Sequence, residues 1–154
     1  MEVNDALAWK EDLLQLAAQA LEERIRVAEK AMKSAQESAN NEEKSSAGDK
    51  YETARAMGQL ERDMNARQLA MAKREQESLR QIKTDLRESA GAGALVFTEA
   101  QVYFLSVGLG TVESGGRKVH LVSGQSPIGK ALEGLVAGSS FSFNGTNQQI
   151  VLIR

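Results

Sequence analysis

Few side chains in this sequence have chemistry to offer. The 154 residues include no cysteine and a single histidine, His120. Disulfides, thiolate metal sites and thiol nucleophiles are therefore excluded, and His120 has no second ligand candidate near it in sequence. What remains is carboxylate. Asp49 and Glu52 stand three residues apart at the start of a helical stretch, and Glu42 and Glu43 lie just before them in a polar segment. Asp with Glu at the third following position is also an Asp version of the capping box, in which both acids satisfy the first backbone N–H groups of a helix. Capping and a chemical role are compatible for the same pair. Glu42 and Glu43 read first as solvation of an exposed loop.

These acids need elements to carry them. From about Asn4 to about Asn40 the chain has no proline or glycine and is built mostly from Ala, Leu, Glu, Lys, Gln and Arg, which predicts one long helix. Leu7, Leu14, Leu21, Ala28 and Ala35 recur every seven residues, with Ala18, Ile25, Met32 and Ala39 four residues after four of them, an a/d seam that requires a partner. The seam passes from leucine to alanine, so its far end buries less apolar area per turn. Asn40 to Gly48 supplies polar, turn-forming residues and a reversal. A second helix is expected from about Asp49 to about Ser89, with a looser stripe of Met57, Leu60, Met64, Met71, Leu79, Ile82 and Leu86. The methionine series Met57, Met64 and Met71 reads as a core stripe at helical spacing. The two helices form an antiparallel hairpin over residues 1–90, with its tip near 40–49 and arms of roughly 55 to 60 Å.

After Ala90-Gly91-Ala92-Gly93 the composition turns to glycine, β-branched and aromatic residues. Strands are expected at about Leu95–Phe97, Val102–Val107, Lys118–Val122, Ser140–Phe143 and Gln149–Ile153, with Gly115-Gly116 and Asn144-Gly145 as turns. Ser126 as N-cap and Pro127 at the first helical position start one short helix over the sheet. The fold class is thus α+β: a helical hairpin and a β-rich domain over 94–154. A core of this size is marginal, so contact with the base of the hairpin should stabilise it.

Nineteen basic and twenty-one acidic residues give a net charge of -2, and no Lys/Arg block tracks phosphates, which disfavours autonomous DNA binding. The first residues are acidic where a secretory signal is basic, and no apolar run reaches membrane-spanning length. A cytoplasmic protein with no membrane contact is expected, a monomer of probe-sized bulk too thin along its hairpin to hold an enzyme site there.

Helical hairpin followed by small β domain, in this order and at this length, resembles the Gre family of bacterial transcript cleavage factors. Gly48-Asp49-Lys50-Tyr51-Glu52-Thr53-Ala54 is similar to the family's tip motif, Gly-Asp, two variable residues, Glu, a polar residue and Ala. Ser126-Pro127-Ile128-Gly129-Lys130-Ala131-Leu132 is similar to the Ser-Pro-x-x-x-Ala-Leu segment of the family's FK506-binding-protein-like domain. The resemblance implies that the C-terminal domain docks on the rim of the RNA polymerase secondary channel through Gln125, Ser126 and Pro127. It further implies that the coiled coil enters the channel, where Asp49 and Glu52 assist the polymerase's own metal site in cleaving backtracked RNA. The chain would then not be an enzyme by itself, would carry no cofactor of its own, and would meet the RNA 3′ end only within the complex. Mg²⁺ prefers oxygen ligands and takes only one or two carboxylates from a given element, so two tip acids can complete a site they do not own.

The segment also departs from the family pattern. Tyr51 lies between the two acids, Arg55 follows Ala54 where a second acid is common, Gln125 replaces a frequent acid, and Gly138-Ser139 stands where Gly-Asp is common. Two further readings therefore stand beside cleavage: a Gre-like channel binder that modulates or inhibits transcription without cleavage, and a coiled-coil adaptor with a partner other than polymerase. Within the last, isomerase activity is the weakest option, because the small domain is poor in aromatic residues.

Overall fold

The computed structural model describes residues 1–45 and 49–154, with side chains described outside 42–51. In chain order the elements are α1 (Val3–Ser45), α2 (Asp49–Arg80), β1 (Leu95–Thr98), β2 (Val102–Ser106), β3 (Gly110–Ser114), β4 (Arg117–Ser123), α3 (Pro127–Leu132), β5 (Ser140–Phe143) and β6 (Thr146–Ile153). The class is α+β, a helix pair followed by a mixed sheet with one short helix. Among the described residues no helix is long and apolar enough to cross a membrane.

Both helix ends differ from expectation. α1 continues through Asn40 to Ser45, since polar residues without glycine or proline do not stop a helix. The rest of the expected reversal, Ser46 to Gly48, lies outside the described residues. α2 stops at Arg80 rather than near Ser89. The amides of Gln81 and Ile82 bond to the carbonyls of Ser78 and Leu79 at 3.2 and 3.1 Å, the tightened last turn of a helix end. Beyond it, Lys10 Nζ donates to the Asp85 carbonyl at 2.8 Å and Arg87 Nη2 to the Ala92 carbonyl at 2.9 Å. Side chains thus hold this backbone in place of helical bonds. With 43 and 32 residues, the helices are about 64 and about 48 Å long, so the arms are unequal.

The chain divides into two compact units, one of Met1–Ala18 with Glu77–Arg154 and one of Gln19–Gln76. The compositional break at residues 90–93 marks the approach to β1.

In the Gln19–Gln76 unit the helices run antiparallel, because Arg24 meets Glu75 at 4.0 Å while the later Gln36 meets the earlier Arg62 at 2.6 Å. Leu21, Ala28 and Ala35 of the expected α1 seam are buried. The α2 stripe is not. Met57, Met64 and Met71 are 61%, 60% and 54% exposed, and Leu60 is exposed with them, which corrects their reading as core. The half-buried or buried positions of this stretch of α2 are instead Ala54, Gly58, Asn65, Leu69 and Ala72. Small residues thus occupy the seam on both helices, and the bulkier methionines are left in solvent.

In the other unit the sheet order is β3-β4-β2-β1-β6-β5. β2 and β4 pair in parallel, and every other pair is antiparallel. β3 is a strand that sequence reading left out. It forms a hairpin with β4 around Gly115 and Gly116, both at positive φ. The second hairpin turns at Asn144 and Gly145, φ 51° and 75°, the left-handed pair that such a two-residue turn needs.

Both sheet faces are covered, which explains the unbroken apolar run Leu95-Val96-Phe97. On one face Val96, Tyr103, Leu105, Phe141 and Ile150 form a core with Ile128 and Leu132 of α3. On the other, Trp9 of α1 lies 6.1 Å from Phe97, ring centroid to centroid. The indole Nε1 donates to Ser114 Oγ at 3.0 Å, and the Arg117 guanidinium sits 5.9 Å from the ring. The start of α1 is thereby fixed to the β3–β4 hairpin. This attachment moves the buried stripe here to Ala6, Trp9, Lys10, Leu13 and Ala17, and leaves the expected seam residues Leu7 and Leu14 only half-buried.

Candidate functional site

Glu52 lies in the first turn of α2, which opens at Asp49. Its side chain is exposed, and it forms no ion pair among the described residues. The side chain of Asp49, like those of Glu42 and Glu43, lies outside the described residues, and the capping-box reading falls there too. Arg55 is exposed on the next turn. Among the described residues no three His, Cys, Asp or Glu side chains cluster as a metal site. An exposed, unpaired carboxylate is a fitting oxygen ligand for a hard cation, but a cation held here would take most of its ligands from elsewhere.

The second expected segment is fully described. Ser126 is the N-cap of α3, in extended backbone at φ -70° and ψ 158°, with Pro127 at the first position. Its hydroxyl accepts from the Gly129 amide at 3.1 Å and donates to the Ser123 carbonyl at 2.6 Å. The amide of Gln125 donates to Ser123 Oγ at 3.1 Å. The Ser126 hydroxyl is therefore spent on the turn, and what this turn presents outward are the exposed Gln125 and Pro127.

Gly129 has a reason that sequence reading missed. A Cβ built there would stand 2.0 Å from the Ser123 carbonyl oxygen and 2.8 Å from Gly124 Cα. The first turn of α3 sits directly on the backbone leaving β4, and only glycine permits that approach.

Two concavities complete the picture, one in each unit. A groove of about 410 Å³ between α1 and α2 is lined by Val27, Ala28, Met71 and Ala72, with Glu23, Arg24 and Glu75 at its sides. A second, of about 320 Å³, opens on the α3 face of the sheet, where Gln101, Tyr103, Val122, Ile128, Phe143 and Gln148 converge. His120 also lines it. Its Nδ1 is 2.9 Å from Thr111 Oγ1, and its ring is 5.3 Å from that of Tyr103. These residues are far apart in sequence and come together through the β2–β4 parallel pairing and the β5–β6 hairpin. No local spacing announces them.

No family model matches the chain, and no curated protein matches it significantly. A solved structure, that of the GreA factor homolog 1 (Gfh1) protein of Thermus thermophilus, is similar over 93% of this chain and 93% of its own, at 18% sequence identity and a TM-score of 0.34. At that TM-score the superposition is too loose to transfer fold or function.

Proposed function

We propose that the chain is a Gre-type accessory factor of RNA polymerase, which inserts its helix pair into the secondary channel and stimulates cleavage of backtracked RNA by the polymerase. The observation that carries this reading is the pair of motifs in their structural settings. The Gly-Asp-x-x-Glu-x-Ala motif opens α2 with Glu52 exposed in its first turn, and the Ser-Pro motif caps α3 with Gln125 and Pro127 turned to solvent. In this reading Gln125, Ser126 and Pro127 dock on polymerase, with the two exposed side chains making contact and the Ser126 cap holding the turn that presents them.

Asp49 and Glu52 would share the polymerase's Mg²⁺, which supplies polarisation of the phosphate and of a water. The chain's own contribution is to bring carboxylate oxygens on a narrow helical support and orient a water toward the RNA phosphate. It is not an enzyme alone, and it acts in the cytoplasm as a monomer with polymerase as its partner. The test is a stalled, backtracked elongation complex of the cognate polymerase. Adding the protein should release short 3′ RNA fragments, and Asp49→Ala with Glu52→Ala should abolish release while leaving polymerase binding in place. Absence of release by the native chain refutes cleavage.

A second reading is favoured by Arg55, an exposed cation three residues after Glu52, where the two side chains neighbour each other on one helix face. It lowers the negative field at the tip, so the chain would occupy the channel and alter initiation or pausing without cleavage. Polymerase binding with no fragments, and fragments gained in Arg55→Glu, would select this reading. Retrieval of a different protein in place of polymerase would select the adaptor.

A further inference from the structure

The groove on the α3 face of the sheet has a construction that neither motif uses. No Asp, Glu, Lys or Arg lines it. Its apolar wall comes from Tyr103, Val122, Ile128 and Phe143, and two carboxamides, Gln101 and Gln148, stand beside it. The Tyr103 hydroxyl reaches Gln101 Oε1 at 2.5 Å and Gln148 Oε1 at 3.2 Å, and Thr98 Oγ1 also lies 3.2 Å from Gln148 Oε1. A tyrosine and a threonine hydroxyl each give one proton, so one proton is at hand for each carboxamide oxygen. Both oxygens are held by the protein, and neither Nε2 has a protein partner among the described residues. Rigid apolar surface with free N–H donors and no charge is a setting for an uncharged ligand that brings carbonyl acceptors.

From this we infer that the groove binds an extended, uncharged peptide segment of a partner protein, with one apolar side chain against Tyr103 and Phe143 and backbone carbonyls accepting from Gln101 and Gln148 Nε2. The groove's volume of about 320 Å³ is at the small end of ligand pockets, which suits one or two residues rather than a helix. A charged segment would lose hydration here and find no counter-charge. Binding through one residue and two hydrogen bonds is weak by itself, so the groove adds to a larger contact rather than replacing one.

The probe is the blocked tripeptide acetyl-Ala-Leu-Ala-methylamide, titrated into the full ¹⁵N-labelled chain and followed by NMR, with acetyl-Glu-Leu-Glu-methylamide as the charged comparison. The side-chain amide signals of Gln101 and Gln148 and the backbone signals of Tyr103 and Phe143 should shift together along one binding curve. The charged peptide should bind at least roughly tenfold more weakly. Gln148→Met keeps the side chain's length, removes the donor, and should weaken binding roughly five- to tenfold. Phe143→Ala should weaken it roughly tenfold or more, in a chain whose spectrum remains dispersed. The inference is overturned by absence of shifts up to the peptide's solubility limit, by shifts confined to the groove between α1 and α2, by equal binding of the charged peptide, or by unchanged affinity in Gln148→Met. The titration contains no polymerase, so its failure leaves the channel reading standing, and a failed cleavage assay leaves this site standing.

Discussion

Raising the pH from about 7 to about 10 should strengthen the sheet-containing unit, and Lys10 is the cause. No part of Lys10 is accessible to solvent, and its ammonium donates to the Asp85 carbonyl at 2.8 Å. Burial is the largest influence on it. The Asp85 carboxylate partly offsets that effect, the Arg87 guanidinium adds to it, and the pKa falls from 10.5 to about 8. Below pH 8 the lysine is charged in both folded and unfolded chains, so the folded state carries the whole cost of desolvation. Between pH 8 and 10.5 the unfolded chain still holds a proton that the folded one has released. The unfolded state then binds more protons, and stability rises with pH until both have let go. At about 1.4 kcal/mol per pKa unit the full effect is about 3 kcal/mol. Screening by water close to a residue near the surface brings it to about 2 kcal/mol.

Trp9, the single tryptophan, sits next to Lys10 in the chain and against Phe97 in the same unit, so its fluorescence during urea unfolding reports the relevant transition. Lys10→Met keeps the stem and removes the charge. Near pH 7 its relief from desolvation is set against the lost bond to the Asp85 carbonyl, a charged hydrogen bond worth about 1.5 to 3 kcal/mol, so the variant should be close to the native chain. Near pH 10 the native chain should have gained about 2 kcal/mol on it, with other titrating groups cancelling between the two proteins. A native-minus-variant difference that stays flat or falls with pH would refute the claim that this ammonium is desolvated.

Three further outcomes are expected. Gly129→Ala places a Cβ 2.0 Å from the Ser123 carbonyl oxygen, where backbone cannot rotate away. It should cost about 3 kcal/mol or more, read by the same urea transition. Ser126→Ala removes the cap on the Gly129 amide and should cost about 1 kcal/mol without loss of the fold. Replacing Met57, Met64 and Met71 together by glutamine should leave the thermal transition of helical circular dichroism within about 0.5 kcal/mol per site of the native one, because all three side chains are more than half exposed. A loss of about 2 kcal/mol per site would restore them to the core.

Legibility in the sequence followed the range over which each signal acts. The cap at Ser126 and the turn at Asn144-Gly145 depend on neighbours within four residues and appear where expected. The class followed from composition and period. β3 was missed because Gly110-Thr111-Val112-Glu113-Ser114 has one apolar residue, and its exposed edge position asks for no more. Lys10 could not be recognised as buried, since its partners Asp85 and Arg87 belong to a stretch that reads as helix and is not. The groove residues Tyr103 and Gln148 meet only through strand pairing across the sheet, which no local pattern specifies.

The α2 seam shows why a correct period still leaves a wrong face. Two sets of positions on α2 repeat every seven residues: Met57, Met64 and Met71, and one residue later Gly58, Asn65, Ala72 and Leu79. Hydrophobicity selects the first set, yet Ala72 and Leu79 are the buried ones. The choice is made by the opposite helix. Around Ala28 and Ala35 the α1 side of the seam is small, so Ala72 and glycine at position 58 can be brought against it, whereas methionine there would hold the helices apart and open voids between its branches. Phase is a property of the pair, and a single helix does not carry it. The same reasoning bears on the tip. The spacing of Asp49 and Glu52 was readable from one helix, but whether those acids work on RNA depends on the surface that receives them. This makes the cleavage assay with Arg55→Glu beside Glu52→Ala more decisive than any further reading of the motif: if a charge reversal three residues away changes cleavage as much as loss of the acid does, the field at the tip governs the reaction, and if it changes nothing, the carboxylate's position does.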